Sequence, residues 1–87
     1  MVVDDHPVVR RGMVAIISLD PGMAVVAEAA SGEEAVELFR LHKPDVTLMD
    51  LRLTSGMSGV DAIVAIRTEF PESRFVVLTI YDGNEDI

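Results

Sequence analysis

Short apolar runs alternate with amphipathic stretches along this chain, and the change of period marks out its elements. Met1, Val2 and Val3 form a brief apolar run that ends in Asp4 and Asp5. Over 7–19 the apolar residues Val9, Met13, Ile16 and Ile17 recur at helical spacing. Pro7 suits the first turn of that helix, where its missing N–H would have no partner anyway. Asp20, Pro21 and Gly22 stop it. The stretch 23–29 reads as a strand. Ser31 then opens a second helix, with Glu34 at the spacing of a capping box, in which each side chain bonds the other residue's free backbone N–H. Ala35, Leu38 and Phe39 form the inner face of this helix, and Lys43 with Pro44 ends it.

The stretch 46–49 is a second clear apolar run, and it too ends in an acid, Asp50. Residues 54–58 are a loop. Ser58 caps a third helix with Asp61 in the capping-box position; Ile63, Ile66 and Phe70 line its buried side, and Pro71 closes it. A last apolar strand covers 75–78 and ends at Thr79. Asp82 and Glu85 again have capping spacing, the start of one more helix. Apolar strands separated by helices imply a parallel sheet covered on both faces, and right-handed crossovers make it a doubly wound α/β fold.

In such sheets chemistry sits at the carboxyl ends of the strands, near the point where strand order reverses. The first strand ends in Asp4 and Asp5, the third in Asp50 and the fourth in Thr79, whereas the second ends in Glu28, Ala29 and Ala30. If the first, third and fourth strands are neighbours, three carboxylates and a hydroxyl converge. Clustered carboxylates repel, so either some are protonated or a cation neutralises them. Oxygen ligands favour a hard ion such as Mg²⁺. A carboxylate beside such an ion can act as a nucleophile towards phosphorus. Each acid alone would be an ordinary turn residue; the joint placement carries the signal. His6 could be a metal ligand, but it reads first as a polar residue at a helix start, because no second His or Cys stands at ligand spacing. His42 sits favourably near a helix carboxyl end.

Composition narrows the classes. The 87 residues allow one domain, and 49% are hydrophobic, as in a packed unit. There is no cysteine, which excludes disulfide and thiolate chemistry and is compatible with the cytosol. Fifteen Asp plus Glu against seven Lys plus Arg give a net charge of −8, which disfavours nucleic-acid backbones and anionic membranes as direct partners. Nothing in these residues resembles a signal peptide, and no apolar run approaches the roughly 20 residues that span a bilayer.

The stretches 3–12, 30–35, 43–46, 49–53 and 77–79 together resemble response-regulator receiver domains, most closely those linked to a LuxR/NarL-type helix-turn-helix output domain. The resemblance implies a flavodoxin-like receiver fold with strand order 2-1-3-4-5, here with four strands, three helices and the start of a fourth. It implies that Asp50 accepts a phosphoryl group from a phosphohistidine on a sensor histidine kinase. Asp5 would contact Mg²⁺ directly, Asp4 largely through water, Asp50 as a ligand, and Arg52 through its backbone carbonyl. Thr79 would be the switch hydroxyl. The output would be a dimerisation surface in a cytoplasmic transcription regulator, with DNA bound only through an absent output domain. Such a domain is no enzyme beyond its own phosphorylation and dephosphorylation.

The chain departs from that family's pattern in three places. The segment 53–59 lacks the usual proline after the acceptor strand and has one extra residue, implying a loop that is differently shaped or looser. Ile80 stands where many members have a small residue. By that resemblance residues 1–87 would make an incomplete receiver, without the fifth strand, its lysine and the last two helices, unless the protein continues further; the only lysine in the sequence, Lys43, does not match that position. An exposed fourth strand and an uncovered first helix would then favour a homodimer, swapped or paired at the sheet edge. A receiver-fold interaction module without switching is the alternative function. A Mg²⁺-dependent phosphohydrolase ranks lower, because Arg52 stands where such enzymes carry a second acid. A nucleotide binder would want a Gly-rich loop where Asp4, Asp5, His6 and Pro7 stand.

Overall fold

The computed structural model describes residues 1–54 and 56–78. Its elements are β1 (Val2–Val3), α1 (Pro7–Ser18), β2 (Glu28–Ala29), α2 (Gly32–His42), β3 (Thr47–Asp50), α3 (Gly59–Glu69) and β4 (Phe75–Leu78). The four strands form one sheet in the order β2-β1-β3-β4, and every pairing is parallel. The expected doubly wound α/β fold is therefore present. The chain moves one way from β1 to β2 and the other way from β2 through β3 to β4. Right-handed crossovers consequently put α1 on one face and α2 with α3 on the other. The strand order reverses between β1 and β3.

The helix ends follow from local chemistry. Ser58 Oγ accepts the Asp61 N–H at 3.0 Å, as its spacing predicts. Ser31 Oγ likewise accepts the Glu34 N–H at 3.1 Å. The return bond differs from a strict capping box: Glu34 Oε1 accepts the N–H of Ala30, not of Ser31, at 2.7 Å. Lys43 ends α2 in the left-handed region with φ 46°, and Pro44 follows it. No carboxylate stands in the first turn of α1, which begins at Pro7 without a side-chain cap.

Two expectations need correction. The strand over 23–29 shrinks to Glu28–Ala29, because β1 offers ladder partners only at Val2 and Val3. Ile16, one of the four apolar residues whose helical spacing predicts α1, is 69% exposed, and no residue of α1 is fully buried; Val9, Met13 and Ile17 are only half-buried. On the opposite face, Val3, Ala29 and Met49 meet Ala35, Val36 and Phe39 of α2 and Ala62 and Ile66 of α3 in one buried cluster. Phe39 and Phe70 pack with ring centroids 5.1 Å apart. Thr79 and the helix start at Asp82 and Glu85 lie outside the described residues.

Candidate phosphoacceptor and cation site

Strand register brings the acids together. Val3 pairs with Met49, so the next residues along β1 and β3 are Asp4 and Asp50, side by side at the reversal point. Both are almost fully buried, with exposures of 1% and 3%. Asp5, one residue on, is partly buried. One ligand atom each from Asp4, Asp5, His6 and Asp50 can be chosen so that all four lie within 4.8 Å of one another.

Each carboxylate is held through one oxygen. Asp4 Oδ1 accepts the His6 N–H at 2.8 Å and faces its Nδ1 at 3.3 Å, while Oδ2 is buried and has no partner among the described residues. Asp50 Oδ1 accepts the Arg52 N–H at 2.9 Å, which closes the turn after β3. Asp5 Oδ2 accepts two bonds from Thr54, from the hydroxyl at 2.7 Å and from the N–H at 3.1 Å. Its Oδ1 is buried and makes no aligned hydrogen bond, although His6 Nδ1 approaches to 3.0 Å. The Thr54 hydroxyl holds the Asp5 carboxyl below the usual carboxylate range, burial opposes this, and the Thr54 N–H and nearby His6 reinforce it.

A buried carboxylate oxygen without a donor is costly unless a proton or a cation meets it. Asp4 Oδ2 and Asp5 Oδ1 both face that requirement, beside Asp50. Three carboxylates fit a hard divalent ion, whose oxygen ligands come from few protein groups and several waters.

Neighbouring elements fix the frame. Arg10 of α1 donates through Nη1 to the Asp4 carbonyl at 2.8 Å and through Nε to Glu28 at 3.2 Å, and so ties helix, β1 and β2 together. Gly59, which begins α3, lies against the turn after Asp50. A Cβ there would stand 2.7 Å from the Asp50 carbonyl oxygen and 2.9 Å from the Leu51 Cα. Two described residues of the stretch 54–58 are anchored: Thr54 holds Asp5, and Met57 N–H donates to Glu33 Oε2 at 2.9 Å. Gly56 supplies the positive φ of 70° in this loop.

The structure thus unites Asp4, Asp5 and Asp50 and places Arg52 on the adjoining turn. Lys43 lies at the carboxyl end of α2, whereas Gly32, at the opposite end, contacts the loop at Met57. Sequence reasoning missed Thr54, and it preferred a helix-start role for His6 over the metal-ligand role it also offered, whereas the ring stands with the three acids. Arg10 went unnoticed although its basic charge, one helical turn from the acids, was a usable signal.

The response regulator receiver domain model matches residues 1–87. The chain belongs to this family. This receiver domain is 42% identical over 87 residues to the nitrate/nitrite response regulator protein NarP of Escherichia coli (strain K12), with 100% of the chain covered. It spans 40% of the length of NarP. A solved LuxR-family two-component response regulator from Aurantimonas sp. SI85-9A1 superposes with a TM-score of 0.87 at 44% identity, over 95% of this chain and 59% of that one. The response regulator TrrA of Thermotoga maritima, solved in complex with Mg(2+)-BeF, superposes with a TM-score of 0.79 at 27% identity, over 98% of this receiver and 71% of TrrA. Among the described residues no helix is long and apolar enough to cross a membrane.

Proposed function

We propose that this receiver takes a phosphoryl group onto Asp50 from the phosphohistidine of a sensor histidine kinase, and that Mg²⁺ assists. The observation that carries the reading is the register pairing that sets the buried Asp50 beside Asp4, where Asp4 Oδ2 and the neighbouring Asp5 Oδ1 lack hydrogen-bond partners. Mg²⁺ held by Asp4, Asp5 and Asp50, with the Arg52 backbone carbonyl as a further ligand, would offset charge on the transferring phosphoryl oxygens. The complex of TrrA with Mg(2+)-BeF supports that choice of ion.

Within this reading a carboxylate oxygen of Asp50 attacks phosphorus as the bond from phosphorus to the donor imidazole breaks, and the imidazole leaves with its electron pair. The Arg52 N–H keeps Asp50 Oδ1 fixed, which orients the nucleophile before phosphate arrives. Thr54 keeps Asp5 ionised and pointed inward. Thr79 supplies the hydroxyl that responds to the new phosphate. The outcome is a shift between two conformations that alters a dimerisation surface and, through a LuxR-type output domain, transcription in the cytoplasm. The resemblance to the LuxR-family response regulator from Aurantimonas supports a LuxR-type output.

Incubation of the protein with acetyl phosphate and Mg²⁺, beside Asp50→Asn, tests the assignment. Incorporation that depends on Mg²⁺ and disappears in the variant is expected. Equal incorporation in both proteins would sink it.

A further inference from the structure

His6 is not used as the helix start predicts. It occupies the N-cap of α1, yet its side chain makes no capping bond. The ring turns instead towards the acids, with Nδ1 3.3 Å from Asp4 Oδ1 and 3.0 Å from Asp5 Oδ1. These separations resemble the edges of a coordination polyhedron. Ligands bonded at about 2.0–2.1 Å lie roughly 3.0 Å apart at adjacent octahedral corners and roughly 3.3 Å apart at tetrahedral ones. The ring is 61% exposed, so it can adjust without disturbing the core. Among the described residues the other oxygen of the same carboxylate, Asp4 Oδ2, is buried and unpartnered, which favours a cation beside it.

An imidazole changes which ions such a site prefers. Carboxylates and waters suit Mg²⁺, whereas imidazole nitrogen suits first-row transition ions. We infer that His6 is a metal-ligating residue that lets this site take a transition dication through one nitrogen and the carboxylates of Asp4, Asp5 and Asp50. This rests on the carboxylate cation site of the proposed function and goes beyond it in the ion and in the fourth ligand. The simpler arrangement, a Nδ1–H shared between two carboxylates, predicts no nitrogen bond to a metal. The two therefore separate by experiment.

Co²⁺ is the probe, because its visible absorption reports nitrogen ligation and geometry. The protein, His6→Ala and the distant His42→Ala are titrated with Co²⁺ and separately with Mg²⁺. Even outer-shell partners of metal ligands are worth about 10–100-fold in affinity, so loss of a direct ligand should lower the Co²⁺-over-Mg²⁺ preference by roughly tenfold or more. The Co²⁺ spectrum of His6→Ala should shift towards an all-oxygen field, and His42→Ala should match the native protein. An unchanged spectrum and an unchanged preference in His6→Ala would overturn the inference while leaving Mg²⁺ binding intact. Failure of the native protein to bind either ion would instead overturn the cation site itself.

Discussion

On one face of the sheet α2 and α3 bury Phe39, Ala35, Ala62 and Ile66 against Val3 and Met49. On the other, α1 buries no residue fully and leaves a cleft of about 580 Å³ bordered by Val2, Ile17, Met23, Val26, Val46 and Leu48. What α1 does have is ionic: Arg10 and Arg11 both reach Glu28, and Arg10 also holds the Asp4 carbonyl. The covered face therefore stabilises the domain by apolar burial, and the open face contributes mainly polar tethers at the end where the acids stand. The acids belong to neither helix layer. They sit where β1 and β3 meet, so strand register positions them, and the two faces differ in how they brace that seam.

Substitutions on the two faces test this contrast. Phe39→Ala removes a ring that is 3% exposed and should cost about 3–5 kcal/mol in urea unfolding, the largest effect. A cost below about 1 kcal/mol would mean that the covered face is not the main stabilising one. Arg10→Ala should cost less, about 1–3 kcal/mol, since hydrogen bonds to charged groups are worth about that much. It should also weaken divalent-ion binding, because Asp4 loses its tether. A stability loss without any change in ion binding would detach α1 from the site.

Thr54→Val should act more narrowly. The carboxyl of Asp5 is depressed in the folded state, so its interaction with Thr54 stabilises the protein above the ordinary carboxylate pKa of about 3.9. That contribution is lost as pH falls through the still lower folded value. Thr54→Val should therefore be less stable than the native chain at neutral pH by about 0.5–1.5 kcal/mol, and the gap should close in acid. Carboxyl NMR should show the Asp5 pKa rising towards its ordinary value; no rise would remove Thr54 from the site. Ile16→Ala, on the open face, should stay within about 0.5 kcal/mol of the native chain, and a large loss would show that α1 packs more tightly than its exposure indicates.

Much of this was legible in the chain. Ser31 and Ser58 announced their helices because capping is local. Asp4, Asp5 and Asp50 were legible as strand ends, and parallel pairing of neighbours was enough to bring them together. What escaped were effects that depend on partners distant in sequence. The extent of β2 is set by β1, not by the apolar character of 23–29. The exposure of Ile16 depends on what lies opposite α1, which helical periodicity does not report. Thr54 meets Asp5 across 49 residues through a loop whose path no periodicity encodes. The turn of the His6 ring away from its capping position is likewise a side-chain choice made by the assembled acids.

The central claim is that the seam between β1 and β3 assembles one divalent-cation site around the acceptor. A Mg²⁺ titration of the native protein beside Asp4→Asn, Asp5→Asn and Asp50→Asn tests it most directly. The account predicts a single Mg²⁺ bound by the native chain and weaker binding in all three variants, each of which keeps its fold by circular dichroism. Native-strength binding in all three folded variants would contradict it.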